Sequence, residues 1–128
     1  TSMVLHVKYK SFDVMLMGDL EKEGEKDPIR RKKLPQLLEG GNKIEVLKAG
    51  HHGSKGATSE ELLDILKPQM AVLSYGKGNR YGHPAPETIE RLEKANCPAV
   101  STEKCGEITF FCLKNEKILV RYGKNVIK

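Results

Sequence analysis

The chain has 128 residues, 38% of them hydrophobic and 30% charged, with a net charge of +5. That length holds one core and excludes two independent domains, and the composition excludes a disordered or fibrous chain. The longest apolar run, Val14 to Met17, falls far short of the roughly 20 residues that a membrane-spanning helix needs. No charged-then-apolar leader opens the sequence either, so the segment reads as soluble, whatever its parent is attached to.

The basic excess is mild, with a sequence pI near 9.1. It suits an anionic partner such as nucleic acid, and equally a domain whose lysines simply face water. Cys97, Cys105 and Cys112 show no C-x-x-C spacing and read as small buried hydrophobes, not as a zinc ribbon. With aromatics at 5% and no tryptophan, the core is expected to be aliphatic.

In chain order, Met3, Leu5, Val7 and Tyr9 alternate with Val4, His6, Lys8 and Lys10, which predicts a strand with one apolar face. His6 falls on the more polar face and reads as a surface or sheet histidine. Phe12 to Met17 is the second strand, close enough to pair with the first as an antiparallel hairpin. Gly18-Asp19 ends it. In the charged stretch Glu21 to Lys33, Asp27-Pro28 predicts a helix start, and Arg30-Arg31-Lys32-Lys33 a solvated basic face. Pro35 limits that helix, and a short turn over Gln36 to Glu39 stops at Gly40-Gly41.

Ile44 to Ala49 is the third strand, followed by His51-His52-Gly53-Ser54. Thr58 and Glu61 are spaced as a capping box, and Leu62, Ile65 and Leu66 give the next helix its apolar face until Lys67-Pro68. Ala71 to Tyr75 is a strand, Pro86 to Ala95 a helix, and Ala99 to Thr102 a short strand. This strand–helix alternation predicts parallel strands with crossover helices. Glu107 to Leu113 and Lys117 to Tyr122 predict a closing hairpin.

Three apolar strands thus end near residues able to bind metal or move a proton: Asp19, then His51 and His52, then His83. In open sheets with crossover helices, ligands gather beyond the carboxyl ends of the strands. Imidazole nitrogens and a carboxylate suit zinc, manganese or iron. A paired metal site activates water for attack on a phosphodiester, and a nearby histidine can protonate the leaving oxygen. Taken singly, each residue has a plainer reading: Asp19 as a turn or cap, His-His as a helix-entry turn, Gly76-Lys77-Gly78-Asn79 as a turn alone.

Taken together, Gly18-Asp19, Leu47-Lys48-Ala49-Gly50-His51-His52-Gly53-Ser54 and Asn79-Arg80-Tyr81-Gly82-His83-Pro84 closely resemble the carboxyl-terminal half of the metallo-β-lactamase-like domain of the ComEC competence family. The resemblance covers nearly the whole chain, as one domain over residues 1–128. It implies an α/β fold that is half of an αββα sandwich: a mixed sheet, crossover helices on one face and a carboxyl-terminal hairpin. It also implies metal-dependent hydrolase ancestry and a link to DNA uptake.

On that analogy Asp19, His51 and His52 are metal ligands, zinc or manganese being the expected ion. His51, His52 and His83 share the catalytic roles. Ser54, Asn79, Tyr81 and His83 contact substrate phosphate. The superfamily's His-x-His-x-Asp-His motif is absent, so the isolated chain is expected to be inactive and to bind metal weakly or not at all. Its expected partners are DNA and either the missing amino-terminal half or a second, swapped copy. The parent is expected to be a bacterial membrane protein with this domain on the extracytoplasmic side. Two other functions compete: a non-catalytic anion- or nucleic-acid-binding module, and a soluble hydrolase of the same fold unrelated to competence.

Overall fold

Period-two alternation builds the first hairpin. Leu5–Tyr9 (β1) and Phe12–Leu16 (β2) pair antiparallel, with Leu5 opposite Leu16 and Tyr9 opposite Phe12. The computed structural model describes residues 2–127 apart from Lys32, Glu39, Gly40, Asn42 and Lys124. Parts of the predicted basic run, of the Gln36–Glu39 turn and of its glycine stop therefore lie outside the described residues.

Two helices follow, Lys22–Arg30 (α1) and Lys33–Leu37 (α2). The chain then enters Val46–Lys48 (β3), crosses over Glu60–Leu66 (α3) to Met70–Leu73 (β4), and crosses over Pro86–Lys94 (α4) to Ala99–Ser101 (β5). β2, β3, β4 and β5 are mutually parallel and β1 is antiparallel to β2, a mixed sheet in the order β1-β2-β3-β4-β5. The short helix Thr102–Cys105 (α5) leads to a second, antiparallel sheet of Ile108–Cys112 (β6), Ile118–Tyr122 (β7) and Asn125–Ile127 (β8). The hairpin of β6 and β7 is as predicted. The third strand, β8, has too few residues to declare a period.

The core lies between the five-stranded sheet and the helices. Met15, Met17, Leu47, Ala49, Ala71 and Leu73 from the sheet meet Leu62, Leu63, Leu66 and Leu92 from α3 and α4. Each of these leucines and methionines contributes about 1.5–3 kcal/mol by leaving water. The core is aliphatic, as the composition requires.

Three local expectations are corrected. First, α1 begins at Lys22, not at Asp27-Pro28, and Pro28 sits in its last turn. Glu23 and Glu25 favour the helix entry electrostatically, while Asp27 accepts a hydrogen bond from Arg31 Nε at 2.8 Å instead of capping. Second, the N-cap of α3 is Ser59, whose hydroxyl accepts from the Leu62 N–H, one residue beyond the predicted Thr58. Thr58 is buried and holds a left-handed φ of 55°. Third, the more polar face of β1 is the one turned inward. His6 Nε2 lies 2.6 Å from Asp13 Oδ1, a carboxylate that is 1% exposed. Asp13 belongs to the same face as Met15 and Met17, so pairing with β2 decides which way β1 turns.

The opposite face of the hairpin carries the apolar residues into the open: Met3, Leu5, Val7 and Tyr9 are all exposed. The second sheet covers only the end of this face, where Phe110 meets Phe12 with ring centroids 6.2 Å apart.

Burial pushes the Cys97 thiol up to about 11, while Cys105 and Cys112 are only half-buried. Since the thiolate is the reactive species, iodoacetamide at pH 8 should label Cys105 and Cys112 well before Cys97 in the folded chain. Peptide mass spectrometry against time reads this, and unfolding in urea should abolish the difference.

Candidate functional site

The site is built on the turn after β3. His51 and His52 both adopt left-handed backbone conformations, φ/ψ 43°/49° and 55°/20°, and Gly53 continues at φ 85°. Consecutive non-glycine residues in this region cost about 1–2 kcal/mol each and persist only where the surroundings dictate them. Glycine is required on both sides. A Cβ on Gly50 would lie 2.6 Å from the Leu20 carbonyl oxygen, and one on Gly53 would lie 2.9 Å from Leu73 Cδ2.

The surroundings that dictate this turn are two buried charges. Glu25 of α1 is 1% exposed, and its carboxylate accepts from the N–H groups of Thr58 and Ser59 at 2.7 and 3.0 Å. Arg91 of α4 is 8% exposed and donates to the carbonyls of Lys55, Ala57 and Thr58 and to Thr88 Oγ1. Thr88 in turn donates to the Ser54 carbonyl at 2.8 Å, and Thr58 Oγ1 accepts from the Gly50 N–H at 3.2 Å. The chain on either side of the histidines is therefore held from two helices, α1 and α4. Sequence reasoning missed this set. Glu25 and Arg91 sit in charged helical stretches where nothing distinguishes a buried charge from a solvated one.

Because β2 runs parallel to β3, Asp19 emerges on the same rim as the histidines. Its Oδ1 lies 3.5 Å from His52 Nε2, and Ser2 Oγ accepts from the Asp19 N–H. His52 Nδ1 faces the Ser74 carbonyl at 2.7 Å. A carbonyl only accepts, so Nδ1 carries a proton and donates it to Ser74, with Nε2 turned toward Asp19. His51 Nδ1 is 3.0 Å from Glu21 Oε1, an acid that sequence reasoning also passed over. His83 comes from the loop after β4, its ring 5.7 Å from that of His51. The strand ends thus meet as the crossover topology predicted.

The remaining candidates divide. Tyr81 is exposed on the rim and stacks on His83. Asn79 spends both ends of its amide on its own loop: Oδ1 accepts from the His83 N–H, and Nδ2 donates to the His83 carbonyl. Ser54 is turned inside, its hydroxyl buried and without a hydrogen-bond partner.

Burial, and then the neighbouring His51 and His52, hold His83 below the ordinary histidine range. Burial likewise lowers Lys48, partly offset by the nearby Asp19 carboxylate. As a test of metal fit, His52 has the arrangement of a ligating histidine, one nitrogen fixed by a carbonyl and the other free beside a carboxylate. Yet no group of three or more His, Cys, Asp or Glu among the described residues is disposed to hold an ion. The donors fit as part of a ligand set and fall short of a whole one.

The chain is similar to "ComE operon protein 3" of Bacillus subtilis, 38% identical over 110 residues, which is 86% of this chain and 13% of that protein. It is similar to "Recombination protein 2" of Haemophilus influenzae, 35% identical over 107 residues, 84% of this chain and 12% of that one. It is also similar to "Competence protein ComA" of Neisseria gonorrhoeae, 31% identical over 110 residues, 85% and 15%. Over this segment the chain belongs to the ComEC competence family. It spans about an eighth of the length of the relatives it matches. No family model matches it. Among the described residues of this ComEC-type segment, no helix is long and apolar enough to cross a membrane.

Replacing Arg91 by Met leaves several buried carbonyls without a donor and should cost about 3 kcal/mol, read by urea unfolding. For His83 the sign follows from its causes: neutrality is favoured, so in the folded chain it should titrate below the ordinary value of about 6.5. His51→Asn removes one of the two imidazoles that oppose charge on His83 and should move that titration upward without restoring it, since burial remains. Histidine-ring NMR against pH reads both.

Proposed function

We propose that the chain is the carboxyl-terminal half of a metallo-β-lactamase-type αββα sandwich serving DNA uptake in natural competence. In the complete domain it would take part in metal-dependent phosphodiester hydrolysis. The observation that carries this reading is the strained His51-His52 turn with the Asp19 carboxylate 3.5 Å from His52 Nε2. Paired left-handed residues held by buried charges are an unlikely outcome for a turn with nothing to present.

In this reading Asp19 and His52, with His51 beside them, would hold zinc or manganese together with ligands from the absent half. Such an ion supplies a water of lowered pKa and neutralises charge on a phosphate. Glu21 orients His51 through Nδ1, and the Ser74 carbonyl fixes His52 in the tautomer with Nε2 free. His83, whose charged form is disfavoured by burial and then by His51 and His52, faces the same space and is suited to exchanging a proton with a leaving or attacking oxygen. The basic net charge favours a polyanionic substrate.

The partner follows from the sheet. The apolar face of Met3, Leu5, Val7 and Tyr9 is the surface that a second sheet would bury in a sandwich. We assign it to the amino-terminal half of the domain, with a swapped copy of the same chain as the substitute when that half is missing. The parent would be a membrane protein with this domain on the extracytoplasmic side.

The test is hydrolysis of a DNA substrate with added manganese or zinc, by this chain alone and by the complete domain from the parent reading frame. The complete domain should turn over, and Asp19→Asn should lower its rate by roughly ten- to a hundredfold or more, the lower range being that of changes around a metal site's ligands. This chain alone should not turn over. Robust hydrolysis by the isolated chain, or an Asp19→Asn domain of undiminished rate, defeats the assignment.

A further inference from the structure

One part of the rim has no task in that chemistry. Tyr81 is 83% exposed, the most exposed large hydrophobic residue described. Its ring is nevertheless placed: it stacks on the His83 imidazole with centroids 5.8 Å apart and planes inclined by 16°. The loop that carries it is fixed by the Asn79 amide, which clamps both backbone polar groups of His83. Gly78 and Gly82 supply positive φ angles of 66° and 68° on either side. An aromatic ring that only needed shelter would fold onto the core. Here a rigid loop holds it in water, with one face covered by a flat ring.

Beside it lies an open depression of about 470 Å³, walled by the rings of Tyr75, Tyr81, His52 and His83. That volume is within the usual range for a small-ligand site. Exposed Lys77 and Arg80 flank the tyrosine in the same loop. Planar rings interleaved with cations are what an unpaired nucleotide strand requires: bases stack on the rings while the cations follow the phosphates. A base inside a duplex offers no free π-face, so duplex DNA has to present an end or an unstacked nucleotide.

We propose that Tyr81 is a stacking platform for one unpaired nucleobase, which enters the depression between Tyr75 and Tyr81 while Lys77 and Arg80 attract the flanking phosphates. The site would then select single-stranded or frayed nucleic acid. This inference rests on the nucleic-acid reading above but not on hydrolysis. Binding is therefore measured without metal.

The chain has no tryptophan, so the Tyr81→Trp variant carries a single reporter at the platform. Oligothymidylate should quench its fluorescence, and an abasic oligonucleotide of equal length should not. By anisotropy of labelled strands, Tyr81→Ala should weaken oligothymidylate binding about tenfold or more and leave abasic binding unchanged, with Tyr81→Phe close to wild type. Equal binding of the two strands, an undiminished Tyr81→Ala variant, or no binding of either strand overturns the proposal. A chain that discriminates bases while the complete domain hydrolyses nothing keeps the platform and removes the hydrolase. The converse result keeps the hydrolase and removes the platform.

Discussion

Glu25 and Arg91 hold one loop between two buried charges of opposite sign, and the rim depends on that loop. Neither charge is answered chiefly by the other. Glu25 is met by backbone N–H groups at the entry of α3, and Arg91 by backbone carbonyls of residues 55–58. Each satisfies several partners at once, which is the condition under which a buried charge is tolerated. The result is a backbone fixed from α1 on one side and α4 on the other. Thr58 carries that fixity to Gly50, at the point where the chain turns left-handed. The strain in His51 and His52 is local, and the interactions that sustain it are spread over two helices.

Strand direction does the rest. Parallel β2, β3 and β4 send Asp19, the His51-His52 turn and the loop of His83 to one end. The other end of the same sheet carries a different polar group, His6 with Asp13, supported by the Asp13 N–H donated to Glu45. That pair is largely buried on the inner face of the sheet, whereas the groups at the opposite end are at least partly open to solvent. The two ends therefore separate into a fastening and a presenting side. The sheet is divided across its thickness as well, with helices over Met15, Leu47 and Leu73 and largely uncovered apolar side chains beyond Leu5 and Val7.

Much of this was legible in the residues. Alternation, turn chemistry and crossover spacing gave the two hairpins, the crossover helices and the parallel sense of the strands between them. With a shared sense for the strand before Asp19, they also gave its meeting with the histidines; the strand order came from the structure. Capping and facing were less legible. Ser59 and Thr58 are adjacent hydroxyls with equal claim to cap α3, and what separates them is Thr58's burial against α1, a tertiary fact. The face of β1 that looked apolar is the exposed one because β2 places Asp13 and Met15 inward, and a single strand carries no record of its neighbour's choice. Glu21, Glu25 and Arg91 were invisible as functional support, since each stands in a run of charges typical of a solvated helix.

The loop from Gly76 to His83 keeps the hydrogen bonds of its asparagine to itself and leaves its tyrosine at the surface. Its asparagine is consumed internally, so the loop gains rigidity where a free amide would have gained a ligand contact. Its histidine is partly withdrawn from water and set beside His51 and His52, and both conditions disfavour its charged form. Its tyrosine then rests on that flat ring, with planes inclined by 16°. Stacking of this kind needs no metal and no second domain, only a surface held still. Among the described residues no group of three or more His, Cys, Asp or Glu is disposed to hold an ion. The proposed recognition and the proposed chemistry therefore draw on different contacts of one rim, the loop of Asn79 and Tyr81 for the first and the His51-His52 turn with Asp19 for the second.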